Sequence, residues 1–157
     1  MEALKKLMNI LRNADQNKSV FLDSNFLIYL MEDYEDYKEL INTVLTDIYD
    51  NKVKMVTSTI TVMECLTGLM KTNQDSEQFF GLTEALGLKI VDLTKDVALV
   101  AANVRANYPT IKQMDSIQLA TGIYAGCDWF ITNDKRLHQF REIPVIILSD
   151  YQKGFIS

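Results

Sequence analysis

Short apolar runs alternate along the chain with longer segments whose apolar residues recur at helical spacing. Residues 2–13 place Leu4, Leu7, Met8 and Leu11 at i, i+3, i+4 and i+7, which predicts an amphipathic helix. Polar residues 13–18 break it. The run Ser19-Val-Phe-Leu22 predicts a strand, ending at Asp23-Ser-Asn25 in residues that suit a turn or a helix cap. A helix is expected over 26–31, pausing in the acidic stretch 32–36. Over 37–51, Leu40, Ile41, Val44, Leu45, Ile48 and Tyr49 hold one face of another. A strand follows at 53–58, then helices at 59–71 and 77–86, the second closed by Gly87. Residues 88–93 read as a strand, with Thr94 capping a helix at 95–107 that Pro109 stops. The pattern then predicts a helix at 115–125, a strand at 129–132, a short helix at 135–140 and a strand at 144–148. Residues 149–157 carry no clear pattern.

Strands separated by helical segments imply parallel βαβ units, and short continuous apolar strands suit a sheet covered on both faces. The expected fold class is α/β: a single-domain α/β/α sandwich with a central parallel sheet of about five strands, plus an N-terminal helical extension. The 157 residues suit one domain. They divide into a helix and linker at 1–18, the main domain at 19–151 and a tail at 152–157. No internal repeat or low-complexity segment interrupts this order.

Composition narrows the chemistry. With 48% hydrophobic and 24% charged residues the chain is expected to fold as a soluble protein. No apolar run approaches a membrane span, and the opening residues lack a signal-peptide core, so no membrane association and a cytoplasmic location are expected. Cys65 and Cys127 stand alone in apolar surroundings and read as reduced core residues. The single histidine, His138, excludes acid–base pairs of histidines and multi-histidine zinc sites. No Gly-x-Gly-x-x-Gly, Gly-Lys-Ser/Thr or Gly-x-Ser-x-Gly motif occurs. Any catalysis must therefore come from carboxylates.

Ligands of open parallel sheets bind outside the carboxyl ends of the strands, so the polar residues that follow strands matter most. Asp23 follows the first strand and Asp134 the fourth, while Glu64 and Asp115 lie in early helical turns. Each also reads as a helix cap, the better reading for Asp115 and Asp134 taken singly. Glu64, in Ile60-Thr-Val-Met-Glu64-Cys-Leu, sits in an apolar helix that is expected to be mostly buried, and so needs a partner or a cation. If the first strand is central and pairs with the fourth, Asp23 and Asp134 lie side by side. Clustered carboxylates repel one another, which a bound divalent cation relieves; oxygen-only ligands suit Mg²⁺ or Mn²⁺.

The segment Val20-Phe-Leu-Asp23-Ser-Asn-Phe-Leu-Ile-Tyr-Leu resembles the opening motif of PIN-domain proteins, and Ser58-Thr-Ile-Thr-Val-Met-Glu64-Cys-Leu-Thr-Gly their second. The run from Asp115-Ser-Ile-Gln-Leu-Ala through Phe-Ile-Thr-Asn-Asp134-Lys-Arg-Leu is similar to their third and fourth. Pro144-Val-Ile-Ile-Leu-Ser-Asp-Tyr resembles the end of VapC-type toxins. The resemblance runs from Ser19 to Tyr151 in motif order. It implies that Asp23, Glu64, Asp115 and Asp134 form an acidic quartet holding Mg²⁺ or Mn²⁺. Ser24, Asn25 and Thr132 would orient water or a carboxylate beside it. It further implies an endoribonuclease leaving a 5′-phosphate and a 3′-hydroxyl, with water activated at the cation and its proton taken by Asp134 or Glu64. Partners implied are an RNA substrate, a cognate antitoxin and a second copy in a homodimer. Where such chains often read Asp-Ala-Ile-His, this one has Asp115-Ser-Ile-Gln118, changes expected to be peripheral to the acid, and the leading helix is an addition.

Lys112, Lys135, Arg136 and Arg141 flank the acidic motifs as candidate phosphate contacts. His138 reads as a surface or half-buried residue, Asp128 as a turn acceptor, and Asp33, Glu35 and Asp36 as a solvated face. Tyr29, Tyr34, Tyr37 and Trp129 suit base stacking or, more commonly, core packing. Two other readings stay open: a PIN-fold RNA-binding or regulatory module without catalysis, and an RNA-processing or DNA-repair nuclease with no antitoxin. The formal charge of −5 is adverse to a nucleic-acid substrate. Assigning four carboxylates to cations brings it to −1, which leaves recognition to local basic groups and the metal.

Overall fold

Every apolar run assigned to a strand forms one, and all pair in parallel. The computed structural model describes residues 2–12 and 17–152. The linker positions 13–16, the tail 153–157 and the side chains of Leu4 and Leu7 lie outside the described residues. The elements run α1 (Glu2–Arg12), β1 (Ser19–Leu22), α2 (Ser24–Met31), α3 (Lys38–Asp50), β2 (Lys54–Ser58), α4 (Thr59–Lys71), α5 (Glu77–Leu86) and β3 (Lys89–Val91). They continue with α6 (Lys95–Asn107), α7 (Gln113–Tyr124), β4 (Trp129–Thr132), a 3₁₀ turn (Lys135–Gln139), β5 (Val145–Ile147) and α8 (Ser149–Gln152).

The sheet order is β3-β2-β1-β4-β5, so the first strand is central and has β4 as its neighbour. Phe21 pairs with Val56 of β2 on one side and Phe130 of β4 on the other. Alternation along β1 divides the core. Val20 and Leu22 face a cluster with Phe26, Leu27, Leu40, Ile41 and Phe79 from α2, α3 and α5. Phe21 faces the opposite layer, where Val104, Leu119, Leu137 and Phe140 pack. The Phe21 and Phe130 rings stack at 4.8 Å across adjacent strands. All these side chains are buried, and each contributes about 1.5–3 kcal/mol of transfer free energy. Small residues let α6 and α7 approach closely, with Ala101 and Ala120 buried between them. The extension α1 docks through fully buried Leu11, and Arg12 lies 3.6 Å from the buried Asp47 of α3.

Local signals explain most boundaries. Thr94 accepts from the Val97 amide as the cap of α6, and Gly87 ends α5 in the left-handed region at φ 61°. Asp128 accepts from the Ser19 amide at 2.9 Å, the turn role expected of it. Three differences from the sequence reading bear on the site and its surroundings. Helix α2 starts at Ser24, because Asp23 caps it, and α7 starts at Gln113, which puts Asp115 in its first turn. Residues Ser149–Gln152, without pattern in the sequence, form α8. It is fastened by the Ser149 amide on Asn133 Oδ1 at 2.9 Å and by His138 Nε2 on Asp150 Oδ2 at 3.0 Å.

Candidate active site

Side-by-side pairing of β1 and β4 puts the residues after both strands at one end of the sheet, where α4 and α7 also begin. Asp23 is 5% exposed and caps α2. Its Oδ1 accepts from the Ser24 amide at 2.8 Å and from Gln118 Nε2 at 3.2 Å, and its Oδ2 accepts from the Thr132 hydroxyl at 2.7 Å. Thr132 is fully buried at the end of β4 and in turn accepts from Asn25 Nδ2 and the Asp134 amide. Asn25 Oδ1 accepts from the Asn133 amide at 3.1 Å, which ties α2 to the loop after β4. Asn133 also donates to the Tyr29 hydroxyl at 3.1 Å, and Tyr29 stacks on Tyr37 at 4.7 Å, so these tyrosines brace the loop from outside.

The four carboxylates stand as two linked pairs. The Ser24 hydroxyl donates to Glu64 and lies 3.4 Å from Asp23 Oδ1. Arg136 joins the other two: its guanidinium clasps Asp134 with both Nε and Nη2, and Nη2 is 3.9 Å from Asp115 Oδ2. The charges act on one another across the pairs. Burial pushes the Asp23 carboxyl up from 3.8 to about 6 against its hydrogen bonds, with repulsion from Asp115 and Glu64 added. Asp115 is also raised, first by burial and then by Asp134, with Arg136 and Lys112 opposing. Asp134 is held below the usual range by the Arg136 hydrogen bonds. Among the described residues, no three His, Cys, Asp or Glu side chains are gathered closely enough to hold a metal ion as they stand.

Several candidates stand differently from their expected places. Glu64 is half-buried, not sealed in an apolar helix, since Met63 and Met70 leave one side of α4 open at 46% and 62% exposure. Arg136, expected to meet phosphate, is instead engaged by two carboxylates. Arg141 donates to the His138 and Phe140 carbonyls, capping its own turn. Lys112 lies near enough to lower both Asp115 and Asp134, whereas Lys135 is exposed and makes no ion pair among the described residues.

Gln118 was missed as a site residue and is not peripheral. It is 2% exposed, and its amide reaches Asp23, Thr61 and Ser58. The available signal was its position three residues after Asp115, on the same face of α7.

The comparisons agree with this architecture. A family model described as the PIN domain matches residues 20–143. A toxin–antitoxin complex from Klebsiella pneumoniae is similar at 26% identity and TM-score 0.62, covering 83% of this chain and 98% of that one. VapBC2 from Rickettsia felis, bound to a DNA fragment from its promoter, is similar at 15% identity and TM-score 0.62, covering 82% and 97%. VapC20 from Mycobacterium tuberculosis, a toxin that cleaves the sarcin–ricin loop, is similar at 16% identity and TM-score 0.59, covering 80% and 99%. At 15% and 16% the last two speak for the fold alone. No curated protein matches. Spanning all four acidic motifs and both halves of the sheet, the match makes the chain a member of the PIN-domain family, with VapC toxin–antitoxin proteins as structural neighbours.

Proposed function

We propose that the protein is a metal-dependent endoribonuclease, the toxin of a toxin–antitoxin pair. Its site would be Asp23, Glu64, Asp115 and Asp134 with a divalent cation, Mg²⁺ or Mn²⁺. The observation that carries this reading is the electrostatics of the acid set. Two carboxylates are pushed up by burial and by neighbouring carboxylates, a cost that a bound cation would convert into affinity. An all-oxygen donor set fits such a hard cation, and Arg136 already supplies positive charge between Asp115 and Asp134.

When bound, the cation supplies Lewis-acid polarisation of the scissile phosphate and makes an attacking water more acidic. The chain's own residues do the rest. Thr132 and the Ser24 amide fix the Asp23 carboxylate from two sides. The Ser24 hydroxyl aims Glu64. Of the two candidate bases, Asp134 is held below the usual range by Arg136, which counts against it as the acceptor for the water proton and leaves that role to Glu64. Lys112, exposed and near enough to act on Asp115, would meet a substrate phosphate, with the exposed Lys135 next to Asp134 as a second candidate. Asn25 would act through Thr132.

A cognate antitoxin partner, a homodimer and a cytoplasmic location belong to the same proposal. The neighbours that are toxin–antitoxin assemblies support the partner. No helix among the described residues is long and apolar enough to cross a membrane. The test is cleavage of RNA in Mg²⁺ or Mn²⁺ by the wild type, Asp23→Asn and Asp115→Asn. Cleavage is expected from the wild type alone and should stop in excess chelator. Activity that survives either substitution refutes the mechanism, and a wild type that binds RNA without cutting it favours the non-catalytic module.

A further inference from the structure

Gln118 connects the elements that carry three of the four carboxylates. It lies on α7 with Asp115, its Nε2 donates to Asp23 Oδ1 at 3.2 Å after β1, and its other contacts reach the start of α4, which carries Glu64. Those contacts are Nε2 to Thr61 Oγ1 at 2.8 Å and Oε1 accepting from the Ser58 hydroxyl.

The direction of the amide is settled by its neighbours. Ser58 Oγ caps α4 by accepting from the Ile60 and Thr61 amides at 3.1 and 3.2 Å. With both acceptor positions taken, its one proton goes to Gln118 Oε1. The Gln118 amide nitrogen therefore faces Asp23, and a flipped amide would set a carbonyl oxygen against a carboxylate. Both N–H groups are used, and the side chain is buried.

We propose that Gln118 is a positioning residue that holds the Asp23 carboxylate in its cation-binding orientation and keeps α4 and α7 in register around it. The proposal rests on the reading of the acid set as a cation site. Partners that orient a metal-binding carboxylate commonly change affinity about 10–100-fold when removed.

The test is Mn²⁺ titration calorimetry on the full chain, with urea unfolding alongside. Gln118→Met keeps the volume and length and removes all three hydrogen bonds, and should weaken Mn²⁺ binding about 10–100-fold. Thr121→Val is the control, because Thr121 is equally buried on α7 but, among the described residues, its hydroxyl donates only to the Ile117 carbonyl of its own helix. It should leave Mn²⁺ affinity unchanged whatever stability it loses. Thr61→Val keeps Gln118 and the Ser58 cap of α4 but removes one of the two acceptors that hold the amide nitrogen, and should weaken binding in the same direction; it decides alone if Gln118→Met does not fold. Mn²⁺ affinity in Gln118→Met within about threefold of wild type, below the range expected of an orienting partner, overturns the proposal and leaves the nuclease reading standing. A wild type that binds no Mn²⁺ overturns both.

Discussion

Replacing Asp23 with asparagine should make the metal-free protein more stable at neutral pH and slightly less stable in acid. In the folded chain the Asp23 carboxyl titrates at about 6 against an ordinary 3.8, because it is buried beside Asp115 and Glu64. Below the lower value it is protonated in both states and contributes nothing. Between the two the folded state holds a proton that the unfolded chain has released, so stability falls as pH rises, and above 6 the loss is complete. A shift of about two pKa units at 1.36 kcal/mol each makes that loss about 3 kcal/mol. Asparagine keeps an oxygen for the Ser24 amide and Gln118. Its NH₂ would face Thr132 Oγ1, which already accepts from Asn25 and the Asp134 amide, at a cost of about 1 kcal/mol. The net effect is a gain of about 2 kcal/mol near pH 7.5 and a loss of about 1 kcal/mol near pH 3. Urea unfolding in chelator across that range measures it. A difference between variant and wild type that does not change with pH, or that moves toward the wild type as pH rises, refutes the reasoning. Saturating Mn²⁺ should then reverse the neutral-pH order, since a cation at about 100 times its Kd adds about 2.7 kcal/mol to the form that binds it.

Arg136→Ala removes the guanidinium that competes for Asp134 and Asp115. It should raise Mn²⁺ affinity by up to about fivefold, the worth of a largely exposed ion pair; weaker binding would mean that Arg136 supports the site. The Cys65 and Cys127 thiols, pushed up to about 12 and about 11 chiefly by burial, should not react with a disulfide reagent in the native state at mildly alkaline pH and should both react in guanidinium chloride. Asp128→Ala strips the acceptor from the Ser19 amide and from Lys18. It should lower stability by about 1–3 kcal/mol in urea unfolding without changing metal affinity, since the lesion lies at the far end of β1.

The strands were readable because each is a short apolar run bounded by polar residues, and a run with its neighbours fixed has few alternative pairings. Once β1 was placed at the centre beside β4, a meeting of Asp23 with the end of β4 followed from topology; the residue that makes it is Thr132, while Asp134 is held by Arg136. The helix α8 was not readable, since four residues cannot show a period, and the contacts that fasten it come from Asn133 and His138, which no local pattern links to it. Arg136 was read by its charge as a phosphate ligand, but a 3₁₀ turn folds it back on the residue two places earlier. Gln118 illustrates the deeper limit. Its amide matters only because Ser58, Thr61 and Asp23 arrive around it from two other elements, and no local spacing encodes that meeting.

The strand order also sets a sequence of events during synthesis. β1, β2 and β3 pair with one another, so that half-sheet can form while the chain beyond is still being made, and it carries Asp23 and Glu64. Asp115 and Asp134 arrive later, with α7 and the turn after β4, when β4 fills the open edge of β1. A partly made chain thus has only half of the carboxylate set and an unpaired strand edge beside it. The acid set is therefore complete only after the last third of the chain has emerged and folded.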